Sequence, residues 1–156
     1  MGLRENLLTE PVMKLAMRVL ITVRPSTTVR QACEAMRQAK LGAVIVVDDA
    51  GHPLGMFNEK LLIRLMAGDA GQLDDPVSKH MTHNVVCMRE TGTIAQLIAT
   101  MQGRKLRWIC VVDAGGKATA LTGLRGVMEY VVEHHPRSVK VQPMRANLSM
   151  DQREGA

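Results

Sequence analysis

Five consecutive apolar residues, Ala43 to Val47, run without polar alternation, the pattern of a strand covered on both faces. Ahead of them Leu20 to Val23 is a short apolar run ended by Arg24-Pro25. Val29, Ala32, Cys33 and Met36 then follow i, i+3, i+4, i+7 spacing, which predicts a helix capped by Thr27 or Thr28 and closed by Gly42. Asp48 to Gly51 reads as a turn into a second strand, Leu54 to Phe57, and Asn58 caps a helix from about Glu59 to Ala67.

Displacing the chain on itself by 65 residues, without a gap, pairs Pro11-Val12-x-Lys14 with Pro76-Val77-x-Lys79 and Arg24 with Arg89. The same register pairs Thr28 with Thr93, Gln31 with Gln96, Lys40-Leu41 with Lys105-Leu106, Val46-Val47-Asp48 with Val111-Val112-Asp113, and Gly51 with Gly116. With Met36 and Met101 this makes 13 identities over 54 positions, too many for chance, so the chain is an internal duplication with a pseudo-two-fold. The second copy repeats the elements: a strand Val85 to Met88, a helix Ile94 to about Gln102, a strand Trp108 to Val112, a turn at Asp113 to Gly116, a strand Thr119 to Thr122, and a helix from about Leu124 to His135 stopped by Pro136. The expected fold is α/β, the order β-α-β-β-α occurring twice: a lead-in over 1–10, a unit over 11–67, a connector over 68–75, a second unit over 76–135 and a tail over 136–156. In the tail Val139 and Val141 alternate briefly, and Ser149 to Ala156 reads as disordered.

Composition narrows the function. A chain of 156 residues with 46% hydrophobic content holds one sizeable core or two small ones and leaves no length for a multidomain enzyme. The net charge of +5 is spread along the chain and suits anionic ligands without requiring them. Cys33, Cys87 and Cys110 form no CxxC pair, so they read as reduced core residues of a cytoplasmic protein, and no apolar run approaches the ~20 residues of a membrane span. His80 and His83 have metal-ligand spacing if helical, but no further ligand completes a site; no metal is expected. His134 and His135 suit the negative end of a helix dipole. Glu34, Asp48, Glu59 and Asp113 are separate acids, not a converging pair, and no nucleophile elbow or Gly-rich phosphate loop occurs, so no catalytic residue is expected. Nucleic-acid binding fits the basic charge, including Arg137, Lys140, Arg145 and Arg104-Lys105-x-Arg107, but not an aromatic content of 2%, which leaves no stacking platform.

The duplicated pattern resembles a tandem pair of CBS domains, the regulatory modules named after cystathionine β-synthase. The likeness rests on Thr22 to Val29, the Val-Val-Asp strand end with its Gly turn, and the strand-to-helix junction Gly55 to Leu62, with counterparts at Cys87 to Ile94, Val111 to Gly116 and Ala120 to Val127. It covers roughly residues 11–135 and implies a stand-alone, non-catalytic regulatory pair with two clefts. Such pairs bind AMP, ATP or another adenosyl ligand, require no cofactor for chemistry, and form disc-like homodimers that act on a regulated protein. The family's junction, Gly-h-x-Thr/Ser-x-x-Asp, uses its Asp to hold ribose hydroxyls. Here Asn58 and Leu61 stand at the Thr/Ser and Asp positions of the first unit, and Gly123 and Gly126 in the second. Losing a charged acceptor costs ~1.5–3 kcal/mol, so adenine-nucleotide binding is expected to be weak. The basic pair expected ahead of the second strand survives only as Arg107-Trp108, against Gly42-Ala43 in the first unit, so the clefts should be unequal. The expected ligand contacts are Thr22, Asn58 and Lys60 on one side and Arg107, Thr122 and Arg125 on the other, with Trp108 either stacking on a base or filling a sheet edge. The alternative is a ligand-free interaction module.

Overall fold

The structure, a computed structural model, describes residues 2–68 and 70–135. The tail expectations, with Pro136 and the basic residues beyond it, lie outside the described residues. After a short helix α1 (Leu3–Thr9), the first unit runs β1 (Thr22–Val23), α2 (Val29–Ala39), β2 (Ala43–Val47), β3 (Pro53–Asn58) and α3 (Glu59–Gly68). The second runs β4 (Cys87–Arg89), α4 (Ile94–Arg104), β5 (Trp108–Val112), β6 (Ala118–Gly123) and α5 (Leu124–His134). Each unit is a three-stranded sheet with the central strand parallel to the first and antiparallel to the third. Thr22 pairs with Ile45 and Cys87 with Cys110, so the 65-residue register of the sequence is also the register of the sheets.

The identities that recur at this offset have structural work to do. Thr28 and Thr93 each accept from the backbone N–H of Gln31 and Gln96, and each glutamine reaches back to its threonine's N–H: two complete capping boxes. In the hairpins Asp48 Oδ1 accepts from the N–H groups of Ala50 and His52, Asp113 Oδ1 from those of Gly115 and Lys117, and Gly51 and Gly116 take φ of 88° and 82°. Gly42 does not close α2, contrary to expectation. Lys40 does so in the left-handed conformation (φ 53°), as Lys105 does for α4 (φ 52°), each with two residues between it and the next strand.

Burial explains the unbroken apolar strand. Val44 and Val46 face a core with Val29, Ala32, Met36 and Phe57, whereas Ala43, Ile45 and Val47 face the other way, onto Cys110, Val112 and Leu121 of the second sheet. Strand β5 does the same, with Ile109 and Val111 in its own unit's core and Cys110 and Val112 in the central layer. The repeated Pro-Val-x-Lys forms a 3-10 turn in each copy, and its valine is exchanged between units. Val12 is fully buried with Ile94, Leu97 and Ile109 of the second unit, and Val77 with Val29, Val44 and Phe57 of the first. Backbone bonds from Val12 N–H to Gly92 O and Val77 N–H to Thr27 O, both 2.7 Å, lock these exchanges. The lead-in is helical and tied to the second unit: Leu7 packs on its core, and the buried Tyr130 hydroxyl donates to Glu10. Among the cysteines Cys110 is buried and Cys33 half-buried, but Cys87 is exposed, because β4 is an edge strand.

Candidate functional site

Two clefts lie at the junction of the units. The larger, about 740 Å³, is walled by Met17 to Val19, the end of α2 with Lys40 to Gly42, and the start of α5, beside Arg107 and Trp108. The smaller, about 390 Å³, is walled by the start of α3 from Asn58, with Arg64 and Lys105 to Trp108. The 65-residue offset carries Lys40-Leu41-Gly42 of one onto Lys105-Leu106-Arg107 of the other, and Gly123-Leu124-Arg125 onto Asn58-Glu59-Lys60. They are therefore pseudo-two-fold copies, made unequal by their side chains. Gly42, Glu59, Arg107 and Trp108 line both and form the wall between them.

The helix starts differ in a way that bears on anion binding. Asn58 Oδ1 accepts from Leu61 N–H at 3.0 Å, so the smaller cleft's helix is self-capped. At the start of α5 stands Gly123, which pairs with Trp108 across β5 and β6; a Cβ there would lie 2.2 Å from the Arg107 carbonyl oxygen. The close strand pairing thus demands glycine, and α5 begins with no side-chain cap, its first N–H groups and positive dipole end facing the larger cleft.

Charge reinforces this. Arg18 and Arg125 of the larger cleft both bind Glu129, at 2.9 and 3.0 Å, and with Arg125 contributing first they hold its carboxyl below the usual range. Among the described residues no ion pair engages Lys40, Lys60, Arg64, Lys105 or Arg107. Arg107 lies over its neighbour Trp108, 5.9 Å from the ring centroid, and the indole is half-buried against the central layer. Trp108 therefore both packs on the sheet and presents a face to the clefts.

Of the residues expected from sequence, Asn58, Lys60, Arg107, Trp108 and Arg125 come to the clefts. Thr22 and Thr122 do not. Thr22 is exposed on β1, and Thr122 is fully buried beside Gly126, its hydroxyl without a hydrogen-bond partner among the described residues. Glu59, read as a separate acid, is the one acidic side chain among the described residues that lines either cleft. Its carboxylate folds over Gly42, where a Cβ would lie 2.9 Å from it. The only sequence hint is a glycine where the second unit has Arg107; seeing it needs the pairing of Ala43 with Asn58.

The two positions of the family's ribose carboxylate differ. Leu61 is half-buried, packed on the first unit's core yet on the wall of the smaller cleft, whereas a Cβ at Gly126 would lie 3.0 Å from Thr122 Oγ1 and 3.1 Å from the Ala16 carbonyl oxygen. His80 and His83 do not share a helix; His80 Nε2 instead meets Asp75 Oδ2 at 3.0 Å, and no metal-type cluster of three occurs among the described residues. No helix among them is long and apolar enough to cross a membrane.

Two duplicated α/β units, swapped at their first turns and enclosing paired basic clefts, define a tandem α/β pair. The chain belongs to the CBS domain family, whose profile matches residues 12–68 and 77–132. It is 32% identical to the CBS-domain containing protein ATU1752 from Agrobacterium tumefaciens, over 72% of this chain and 89% of that one, with a TM-score of 0.65. The CBS domain pair of MJ0100, solved with 5′-methylthioadenosine and S-adenosyl-L-methionine, superposes with a TM-score of 0.72 at 15% identity, covering 81% of this chain and 98% of that one. MJ1225 from Methanocaldococcus jannaschii superposes with a TM-score of 0.73 at 21% identity over 80% of this chain, which spans 51% of that protein's length.

Proposed function

We propose that this protein is a non-catalytic regulatory module whose larger cleft takes an anionic, adenine-containing ligand such as AMP or ATP. The observation that carries the reading is the free cations Lys40 and Arg107 facing the uncapped start of α5. Phosphate oxygens meet the helix N–H groups and Arg107, the base lies along Trp108, and Glu59 is the group left to accept from sugar hydroxyls. The adenosyl ligands held by the MJ0100 pair support the same class of ligand. Without a carboxylate at Leu61 or Gly126, affinity is no better than micromolar.

The reading includes a homodimer. Leu124, Met128 and Val132 are more than half exposed at i, i+4, i+8 on α5, and Ile63 and Met66 make the matching apolar face of α3. These stripes favour a second copy of this chain over an isolated pair of units.

Calorimetric titration with AMP and ATP, on protein whose sedimentation reads a dimer, tests the reading. Trp108 fluorescence should be quenched on binding, and Arg107→Ala should weaken ATP binding by ~10–100-fold without changing stability, since the side chain is exposed. Sub-micromolar binding, or an affinity indifferent to Arg107, refutes it.

A further inference from the structure

Cys87 and Cys110 are direct Cα partners in the parallel pairing of β4 with β5. Partners on adjacent strands project to the same face, and the ~4.8 Å between neighbouring strands lies inside the ~4.4–6.8 Å Cα separation that a disulfide spans. Each sulfur also lies near a backbone carbonyl, Cys87 Sγ 3.7 Å from Val85 O and Cys110 Sγ 3.8 Å from Val111 O. The interaction between the neighbouring thiols holds Cys87 below the ordinary thiol range and, with burial, pushes Cys110 well above it. Cys87 is exposed and Cys110 fully buried, so one sulfur can be reached from solvent while the other stands behind it. In the first unit the same places hold Thr22 and Ile45, so the dithiol is particular to the second unit and is not required by the fold.

We propose that Cys87 and Cys110 form a redox modification site, a dithiol that low-molecular-weight disulfides oxidise to a bond between β4 and β5. The Cys87 thiolate attacks one sulfur of the oxidant, breaking its S–S bond and expelling one thiolate, which takes the Cys110 proton. The Cys110 sulfur then attacks Cys87 Sγ and the second thiolate leaves. Two protein sulfurs have lost two electrons, and one oxidant disulfide has become one thiol and one thiolate. The new bond pins the edge strand β4 to a strand that begins at Trp108, two residues before Cys110 and on the same face. The redox state of this pair is therefore felt at the wall between the clefts.

The test treats the native full chain with oxidised glutathione and counts thiols after unfolding. Of the three cysteines only Cys33 should remain free, and peptide mapping should find Cys87 joined to Cys110. Cys33→Ser should oxidise as the wild type does. Cys87→Ser, at an exposed position, should form no intramolecular bond, and Cys110→Ala should stop at a mixed disulfide of glutathione on Cys87. Persistence of all three thiols in the wild type, a stable mixed disulfide with Cys110 still free, or a bond to Cys33 overturns the proposal.

Discussion

Gly126→Ala places a methyl carbon 3.0 Å from Thr122 Oγ1 and 3.1 Å from the Ala16 carbonyl oxygen. Neither neighbour yields easily: Thr122 is fully buried, and Ala16 is backbone between Leu15, 3% exposed, and Arg18, whose N–H donates to Leu121 O at 2.9 Å. Overpacking of this kind costs ~1–3 kcal/mol, against a gain of up to ~1 kcal/mol from replacing a helical glycine by alanine. The net expectation is a loss of roughly 0–3 kcal/mol. Gly103, inside α4, supplies the control, because a Cβ there meets nothing within 4 Å. Gly103→Ala should therefore stabilise by up to ~1 kcal/mol. Urea unfolding followed by circular dichroism reads both midpoints, with unchanged slopes confirming that only stability moved. Equal stabilisation by the two substitutions would refute the steric closure of position 126, and with it the explanation of why this chain carries no ribose carboxylate there.

Tyr130, the chain's single tyrosine, has its phenol pushed up to about 12, by burial first and then by the Glu10 carboxylate. Its folded value exceeds the unfolded one near 10, so its contribution to stability is complete below pH ~10 and is lost as pH rises toward 12, at no more than ~1.4 kcal/mol per pH unit. Alkaline unfolding should show that decline in the wild type but not in Tyr130→Phe, which should also cost ~0.5–1.5 kcal/mol at neutral pH through the lost bond to Glu10; an unchanged alkaline slope would remove Tyr130 as its source. Lys40→Gly and Lys105→Gly should each stabilise by up to ~1 kcal/mol, measured by urea unfolding, because both lysines sit in left-handed backbone that favours glycine. Destabilisation by either would mean that its side chain contributes more than its backbone strain costs.

The duplication and the elements were legible in the chain because the signals are local. Capping boxes need a threonine and a glutamine three apart, a hairpin turn needs an Asp and a Gly at close spacing, and an unbroken apolar run announces a strand covered on both sides. Those features placed Arg107, Trp108, Asn58, Lys60 and Arg125 near the unit junction through the family pattern. What the apolar run could not say was which face each residue took, Val44 inward to its own helices and Ile45 onto the other sheet. Nor could Pro-Val-x-Lys disclose that each valine completes the opposite unit's core, since those contacts join residues far apart in the chain. Thr122 and Glu59 changed places for the same reason. The threonine is turned beneath α5, whereas the glutamate folds over Gly42 onto the wall of both clefts. Periodicity determines local geometry through neighbours along the backbone; which side chains share a cavity depends on sheet register and on how two units dock, and these are set by contacts that only the packed core brings together.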